Sequence, residues 1–189
     1  MAEGIILAGG YSKRTGTNKM MLPFRGKPLI VSTIMAMRPK VSNIVVVSGH
    51  YHEPLEETLK RISHVRLVHN DAYDKGMYAS VKKGMDETSE DVFIIPGDMP
   101  LVQSSTYEKL LNADGLIRVP TKNKRKGHPI FIDASLRSKL LDSKTYDHLK
   151  AFRNAQGFNE VPVEDEGILI DIDTMDDYLQ MKRKKERSE

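Results

Sequence analysis

Apolar positions along this chain come in two rhythms. Short unbroken runs, Ile5-Ile6-Leu7, Ile44-Val45-Val46-Val47 and Val92-Phe93-Ile94-Ile95, alternate with longer stretches in which apolar residues recur at helical spacing. An unbroken run of that length is what a strand shows when helices cover both of its faces. The pattern predicts strands at 4–8, 43–48, 65–69, 92–96, 116–119 and 129–132, with a further extended segment near 168–171. It predicts helices at 28–38, 53–62, 77–87, 104–112, 134–141, 145–155 and 174–186. Thr174 is placed to cap the last of these, with Asp176 and Asp177 in its first turn, where the helix dipole favours negative charge. Strand and helix in steady alternation give a three-layer α/β/α domain around a mostly parallel mixed sheet. No repeat, low-complexity tract or linker breaks the pattern, so residues 1–189 read as one domain. Ligands of such sheets sit outside the carboxyl ends of the strands. The loops at 8–19, 48–53, 69–77, 97–103 and 171–174 are therefore expected to converge on one site.

The first of these loops is the most informative. Ala8-Gly9-Gly10-Tyr11-Ser12-Lys13-Arg14 follows the first strand directly, with Gly16 and Lys19 close behind. Adjacent glycines let the backbone turn sharply and approach a ligand. Their N–H groups, with Ser12, Arg14 and Lys19, form a concave donor surface suited to oxyanions, phosphate above all. The spacing fits neither a Walker A loop nor the dinucleotide fingerprint. The alternative is a tight turn carrying solvated Lys and Arg.

Two further segments carry carboxylates to the same edge. In Pro96-Gly97-Asp98-Met99-Pro100, Asp98 stands at the end of a buried strand, as a Mg2+ ligand or as the centre of an ordinary Asp turn. In Ile170-Asp171-Ile172-Asp173-Thr174, extended alternation puts Asp171 and Asp173 on one face, where paired carboxylates call for a cation. Asp173 is the preferred second metal ligand and Asp171 its substitute. Asn70 and Ser80 flank a helix start and suit hydrogen bonds to a base or ribose, or simple capping. His128, in Gly127-His128-Pro129, either meets an acceptor substrate or is a solvated loop residue. His50, His52, His64, His69 and His148 lack metal-ligand spacing and receive no role. Met20, Met21, Met35, Met37, Met77 and Met85 read as core filling.

Composition narrows the class. With no cysteine, disulfides, thiolate metal sites and cysteine nucleophiles are excluded. No apolar run approaches the roughly twenty residues of a membrane span, and the N-terminus lacks a signal-peptide pattern, so a cytoplasmic protein is expected. A net charge of +3 and basic runs without interleaved aromatics argue against nucleic acid as partner. The run Lys122 to Lys126 reads as a mobile loop, and Lys182 to Lys185 as the solvated end of a helix. Residues 1–40 set Lys13, Arg14, Lys19, Arg25, Lys27, Arg38 and Lys40 against the single acid Glu3, which points to a small anionic ligand near the first loop.

The motifs together resemble a known family. Leu7-Ala8-Gly9-Gly10-x-Ser12-x-Arg14-x-Gly16-x-x-Lys19, then Leu22-Pro23 and Gly26-Lys27-Pro28-Leu29, is similar to the N-terminal signature of the MobA-like nucleotidyltransferases. Asn70-x-x-Tyr73-x-x-Gly76-Met77-x-x-Ser80, Gly97-Asp98-Met99-Pro100-Leu101-Val102, Gly127-His128-Pro129 and Asp171-x-Asp173-Thr174-x-x-Asp177 resemble later motifs of its molybdenum cofactor cytidylyltransferase branch. Gly9 stands where that branch usually has Ala, Tyr73 where it has Trp and Thr15 where it has Met. The Leu-Ala-Gly-Gly form is typical of the guanylyltransferase branch, so CTP and GTP both stay open.

The resemblance implies a Rossmann-like nucleotidyltransferase fold and Mg2+-dependent transfer of NMP from an NTP to a phosphorylated small molecule, molybdopterin or molybdenum cofactor first, with release of pyrophosphate. It implies that Leu7, Ala8, Gly9, Gly10 and Ser12 lie against the nucleotide, with Asn70 and Ser80 in its pocket. Arg14 and Lys19 would face the phosphates, Asp98 and Asp173 would hold the metal, and Gly127, His128 and Pro129 would meet the acceptor. A molybdoenzyme or its chaperone is the implied protein partner. Sugar phosphates, isoprenoid-precursor alcohol phosphates or other small phosphorylated molecules are the alternative acceptors, and a catalytically silent nucleotide-binding subunit is the alternative outside the enzyme class.

Overall fold

Each apolar run anticipated as a buried strand is one. The computed structural model describes residues 1–12, 14–142 and 144–186, the last four of these by backbone alone; Lys13 lies outside the described residues. In chain order it contains β1 (Glu3–Ala8), a small hairpin of β2 (Pro23–Phe24) and β3 (Lys27–Pro28), α1 (Leu29–Met37), β4 (Ile44–Ser48), α2 (His52–Leu59), β5 (Val65–His69), α3 (Met77–Asp86) and β6 (Val92–Pro96). The second half contains α4 (Ser104–Leu111), β7 (Ile117–Lys122), β8 (Arg125–Lys126), β9 (Ile130–Ile132), α5 (Arg137–Asp142), α6 (Leu149–Gln156), β10 (Asn159–Pro162) and α7 (Met175–Glu186). The main sheet runs β10-β7-β9-β6-β1-β4-β5, with β8 folded back on β7. β6, β1, β4 and β5 are parallel, and β9 runs antiparallel to both β6 and β7.

Strand alternation divides the core cleanly between the two faces. Ile6, Val46, Phe93 and Ile95 meet residues of α1, α2 and α4, whereas Ile5, Val45, Val47, Val92 and Ile94 meet residues of α3, α5 and α6. A third cluster of Phe24, Leu29, Ile172, Tyr178 and Met181 holds α7 against the small hairpin. The Tyr178 hydroxyl fastens it by donating to the Pro23 carbonyl at 2.6 Å. Among the described residues no helix is long and apolar enough to cross a membrane.

Several expectations are corrected. The segment near 168–171 is not a strand: a 3₁₀ turn spans Glu166–Leu169, and an irregular stretch follows. Its backbone groups are already committed, since the Ile168 carbonyl takes the His128 N–H at 3.0 Å and the Ile172 N–H goes to the Asp98 carbonyl at 3.1 Å. The last strand is instead β10, an edge strand in which only Val161 is buried and which therefore shows no apolar period. The segment predicted as a helix at 145–155 starts at α6 because His148 caps it, Nδ1 accepting from the Ala151 N–H at 2.9 Å. The basic run Lys122 to Lys126 is a tight hairpin, Asn123 and Lys124 both taking positive φ (50° and 62°) as the two-residue turn between β7 and β8 requires. Met20, Met37 and Met85 are core residues, but Met35 and Met77 are exposed.

Close packing on the central strand gives a test. A Cβ placed on Gly84 of α3 would come within 2.5 Å of Ile5 Cγ2, and Ile5 is fully buried. Alanine at this position gains up to about 1 kcal/mol of helix propensity but overpacks the interface by about 1–3 kcal/mol. Gly84→Ala is expected to lower stability by about 1 kcal/mol net, read from the urea midpoint; an unchanged or raised midpoint would contradict this packing.

Candidate active site

The loop after β1 is held by its own hydrogen bonds before anything binds to it. Ser12 takes positive φ (50°), and its carbonyl accepts from the N–H groups of Thr15 and Gly16, both at 3.1 Å. The Thr15 hydroxyl bridges the Ser12 and Thr17 carbonyls, 2.8 Å from each, so Thr15 acts as a buried knot that a methionine could not tie. Ser12 Oγ accepts from the Lys19 N–H at 3.3 Å, and Asn18 caps the short turn that Lys19 begins. The neighbouring strand end comes close: a Cβ on Gly49 would lie 2.6 Å from the Gly9 carbonyl. Gly9 is packed against Ser80, Ser48 and Tyr73, whereas Gly10 has no protein atom within 4 Å of where its Cβ would be.

That scaffold carries Lys19 to the carboxylates. Its ammonium is paired with Asp98 Oδ2 and lies 3.3 Å from Asp173 Oδ1, while Arg14 reaches Asp173 Oδ2 at 3.0 Å. Exposure grades outward from Asp98 (8%) and Lys19 (14%) to Asp173 (33%) and Arg14 (69%). Asp98 is fixed by its backbone: the Gly97 N–H donates to the Leu7 carbonyl at 2.9 Å, and the Thr33 hydroxyl donates to the Gly97 carbonyl at 2.9 Å. Burial pushes the Asp98 pKa up, and the Lys19 ammonium only partly opposes it. Asp98 Oδ1 is buried with no hydrogen-bond partner.

Asp171 makes no ion pair with Lys19 or Arg14, but its charge reaches Asp98 and adds to the rise in that pKa. Fully buried Ile172 separates it from Asp173, and Asp171 instead lines a cavity of about 290 Å³ with Phe24, Arg25 and Leu101. Among the described residues no three His, Cys, Asp or Glu side chains gather to hold a metal ion. The donor set is thus two carboxylates. That fits Mg2+, which takes one or two carboxylates and completes its shell with phosphate oxygens and water. The orphaned Asp98 Oδ1 is a hard oxygen ligand ready for such an ion.

On the other side of the Gly9–Gly10 loop, Asn70 and Ser80 are both buried and joined, Asn70 Nδ2 donating to Ser80 Oγ at 3.0 Å. Asn70 Oδ1 is spent on the Ala72 N–H at 3.1 Å. Beyond them stands a feature that sequence reasoning missed. The rings of Tyr11 and His50 (4.9 Å), Tyr11 and Tyr73 (5.4 Å), and His52 and His69 (5.0 Å) pack against one another, and His50, His52, His69 and Tyr73 line a cavity of about 570 Å³. Metal-ligand spacing, which these histidines lack, is no guide to ring packing. The usable signal was position: Tyr11, His50 and His69 each stand at or just after the end of a strand.

His128 is not a solvated loop residue. The β6–β9 register pairs Ile94 with Ile130, so two residues earlier His128 stands at the carboxyl-end side of β6, within reach of the Ile94 carbonyl. Burial, aided by the Arg153 charge, depresses its pKa to about 4 against the opposing pull of the Ile94 carbonyl and Asp171. Its Nδ1 is buried and unpartnered. Gly127 is required here, since a Cβ would fall 2.2 Å from the Ile168 carbonyl oxygen, and Pro129 leads directly into β9.

The depressed His128 pKa has a sign that can be measured. Between its ordinary value of 6.5 and the folded value of about 4, the unfolded chain binds a proton that the folded chain refuses. This group's contribution therefore falls as pH drops through that window, by up to about 3 kcal/mol below it. His128→Gln is expected to flatten the 4–6.5 portion of a stability-versus-pH curve from denaturant midpoints. A variant curve parallel to that of the wild type would contradict burial of a neutral ring.

Comparison with known proteins agrees with the architecture and the motifs. Residues 4–161 match the MobA-like NTP transferase domain. The chain is 30% identical to the molybdenum cofactor cytidylyltransferase of Escherichia coli over 95% of both chains. It is 32% identical to a molybdenum cofactor guanylyltransferase of Xanthomonas euvesicatoria over 72% of this chain and 68% of that one. A nucleotidyl transferase from Methanothermobacter thermautotroptrophicus shares the fold, with a TM-score of 0.85 at 23% identity, covering 100% of this chain and 99% of its own. With the family domain matched over residues 4–161 and a relative 30% identical over 95% of both chains, the chain belongs to the MobA-like NTP transferase family and is a nucleotidyltransferase.

Proposed function

We propose that this enzyme transfers a nucleoside monophosphate, CMP first, from an NTP to the terminal phosphate of a molybdopterin-type acceptor. One observation carries the reading: Lys19, Asp98 and Asp173, far apart in sequence, meet beside the glycine loop with one carboxylate oxygen left unpartnered. In this assignment the chain from Leu7 and Ala8 through Gly9, Gly10 and Ser12 lies along the nucleotide, and Asn70 and Ser80 wall its pocket. Gly127, His128 and Pro129 border the acceptor, where the neutral His128 ring offers Nδ1 as a hydrogen-bond acceptor. Asp98 and Asp173 would hold Mg2+, whose charge offsets that of the phosphates when it is bound.

An acceptor phosphate oxygen attacks the α-phosphorus in line. The new O–P bond forms as the bond to the bridging oxygen breaks, and pyrophosphate leaves with that electron pair. The attacking oxygen is already anionic, so the chain needs no general base and no protein nucleophile. Its task is to bring two anions together and to stabilise charge on the leaving group, which falls to Arg14 and Lys19. The relative matched over 95% of the chain favours cytidine. The Leu7-Ala8-Gly9-Gly10 form and the Xanthomonas relative favour the second reading, transfer of GMP.

Pyrophosphate release measured with each of four NTPs and a molybdopterin acceptor tests this directly. CTP is expected to lead, GTP to be the nearest rival, and binding without release for every pair would sink the transferase assignment. Lys19→Ala and Asp98→Ala are each expected to cost on the order of 100-fold in rate, about 3 kcal/mol of transition-state stabilisation. Their circular dichroism should stay native; wild-type turnover in either variant would refute its role.

A further inference from the structure

Lys19 sits where a lysine that served only the phosphates would have no reason to sit. Its ammonium lies between the two carboxylates, against Asp98 Oδ2 and 3.3 Å from Asp173 Oδ1. Asp98 Oδ1 is unpartnered, but Lys19 holds Asp98 Oδ2 and Asp173 Oδ1 and Arg14 holds Asp173 Oδ2, so a divalent ion that is to bind both carboxylates, at about 2.0–2.1 Å for Mg2+, must displace the ammonium from between them. The ion faces a second deficit, because the described residues supply no third metal-binding side chain. A nucleoside triphosphate removes both obstacles. Its oxygens draw the ammonium away and complete the coordination shell.

We propose that Lys19 is a resident counter-ion of the Asp98–Asp173 pair, exchanged for a divalent ion only when the nucleotide arrives. The inference rests on the nucleotidyl-transfer reading above. In the nucleotide-free protein the buried Asp98 charge stays neutralised, and free divalent ions are kept out. Loading is then ordered: the ion enters with the triphosphate, and Lys19 moves from carboxylate to phosphate. Arg14 does not duplicate this device. It touches Asp173 alone, on the other oxygen, and is largely exposed to solvent.

The test is binding of Mn2+ to the full-length protein, followed by electron paramagnetic resonance. It is run with the protein alone, with a non-hydrolysable CTP or GTP analogue, and with inorganic tripolyphosphate. Wild-type protein is expected to bind Mn2+ about tenfold or more weakly without a phosphate ligand than with one. Lys19→Met should bind Mn2+ alone about tenfold more tightly than wild type, whereas Arg14→Met should change it less than about twofold because its charge is solvent-screened. Equal tightening by both variants would mean that only net charge matters, and would overturn the proposal, as would a Lys19→Met affinity no tighter than wild type. If Lys19→Met does not fold, the wild-type comparison decides: equal Mn2+ affinity with and without tripolyphosphate overturns it. Pyrophosphate release from the same preparations separates the two readings. The expected Mn2+ behaviour without turnover from any NTP would leave counter-ion exchange standing and remove the transferase chemistry.

Discussion

A carboxylate buried at the end of the central strand must be matched by positive charge, and that requirement organises the carboxyl edge of this sheet. Asp98 is 8% exposed, and desolvation raises its pKa even with Lys19 in contact. Leaving such a group unmatched costs several kcal/mol, so the chain segments around it are arranged to deliver cations or to hold the backbone still. The glycine loop delivers Lys19, and α1 contributes the Thr33 hydroxyl that anchors Gly97. The stretch before α7 brings Asp173 and ties itself down through Ile172. An arrangement that costs folding energy at one point fits the proposal that the same point handles phosphate charge.

The two halves of the edge differ in character. Around β1, β4 and β5 the surface is built from close backbone contacts and ring edges: Gly9 against Gly49, Asn70 joined to Ser80, and tyrosines and histidines beyond. Flat rings and backbone groups suit a flat ligand such as a base. Around β6 and β9 the surface is built from a half-buried imidazole whose Nδ1 is buried and unpartnered, and a glycine pressed against a carbonyl. The charged cluster lies between them, where two substrates approaching from either half would bring their phosphates together.

Much of this was legible in the sequence because burial on both faces leaves a plain mark. Ile5-Ile6-Leu7, Ile44 to Val47 and Val92 to Ile95 could hardly be anything but central strands, and once they are aligned in parallel Asp98 falls beside the first loop. What stayed hidden lacked such a mark. β10 buries a single side chain, and the stretch after Ile168 has apolar residues for packing under loops, with its N–H and carbonyl groups engaged outside any ladder. Extended alternation put Asp171 and Asp173 on one face of a strand, but the segment is no strand: Asp173 pairs with Lys19, while Asp171 acts on Asp98 through its charge without such a pair. His128 gave no local sign of burial, because its environment is made by Ile94 and Ile168, distant in the chain.

The amide of Ile172 donates to the carbonyl of Asp98 itself, so the main chains bearing the two carboxylates are stapled at Asp98 on one side and one residue before Asp173 on the other. The distance between them is therefore set locally, and does not depend on how the long excursion from α4 to β10 is built. Descendants of such a chain are free to lengthen, shorten or reshape that excursion while the two carboxylates keep their spacing. A fold wired in this way lets new substrates be tried without re-inventing the reaction.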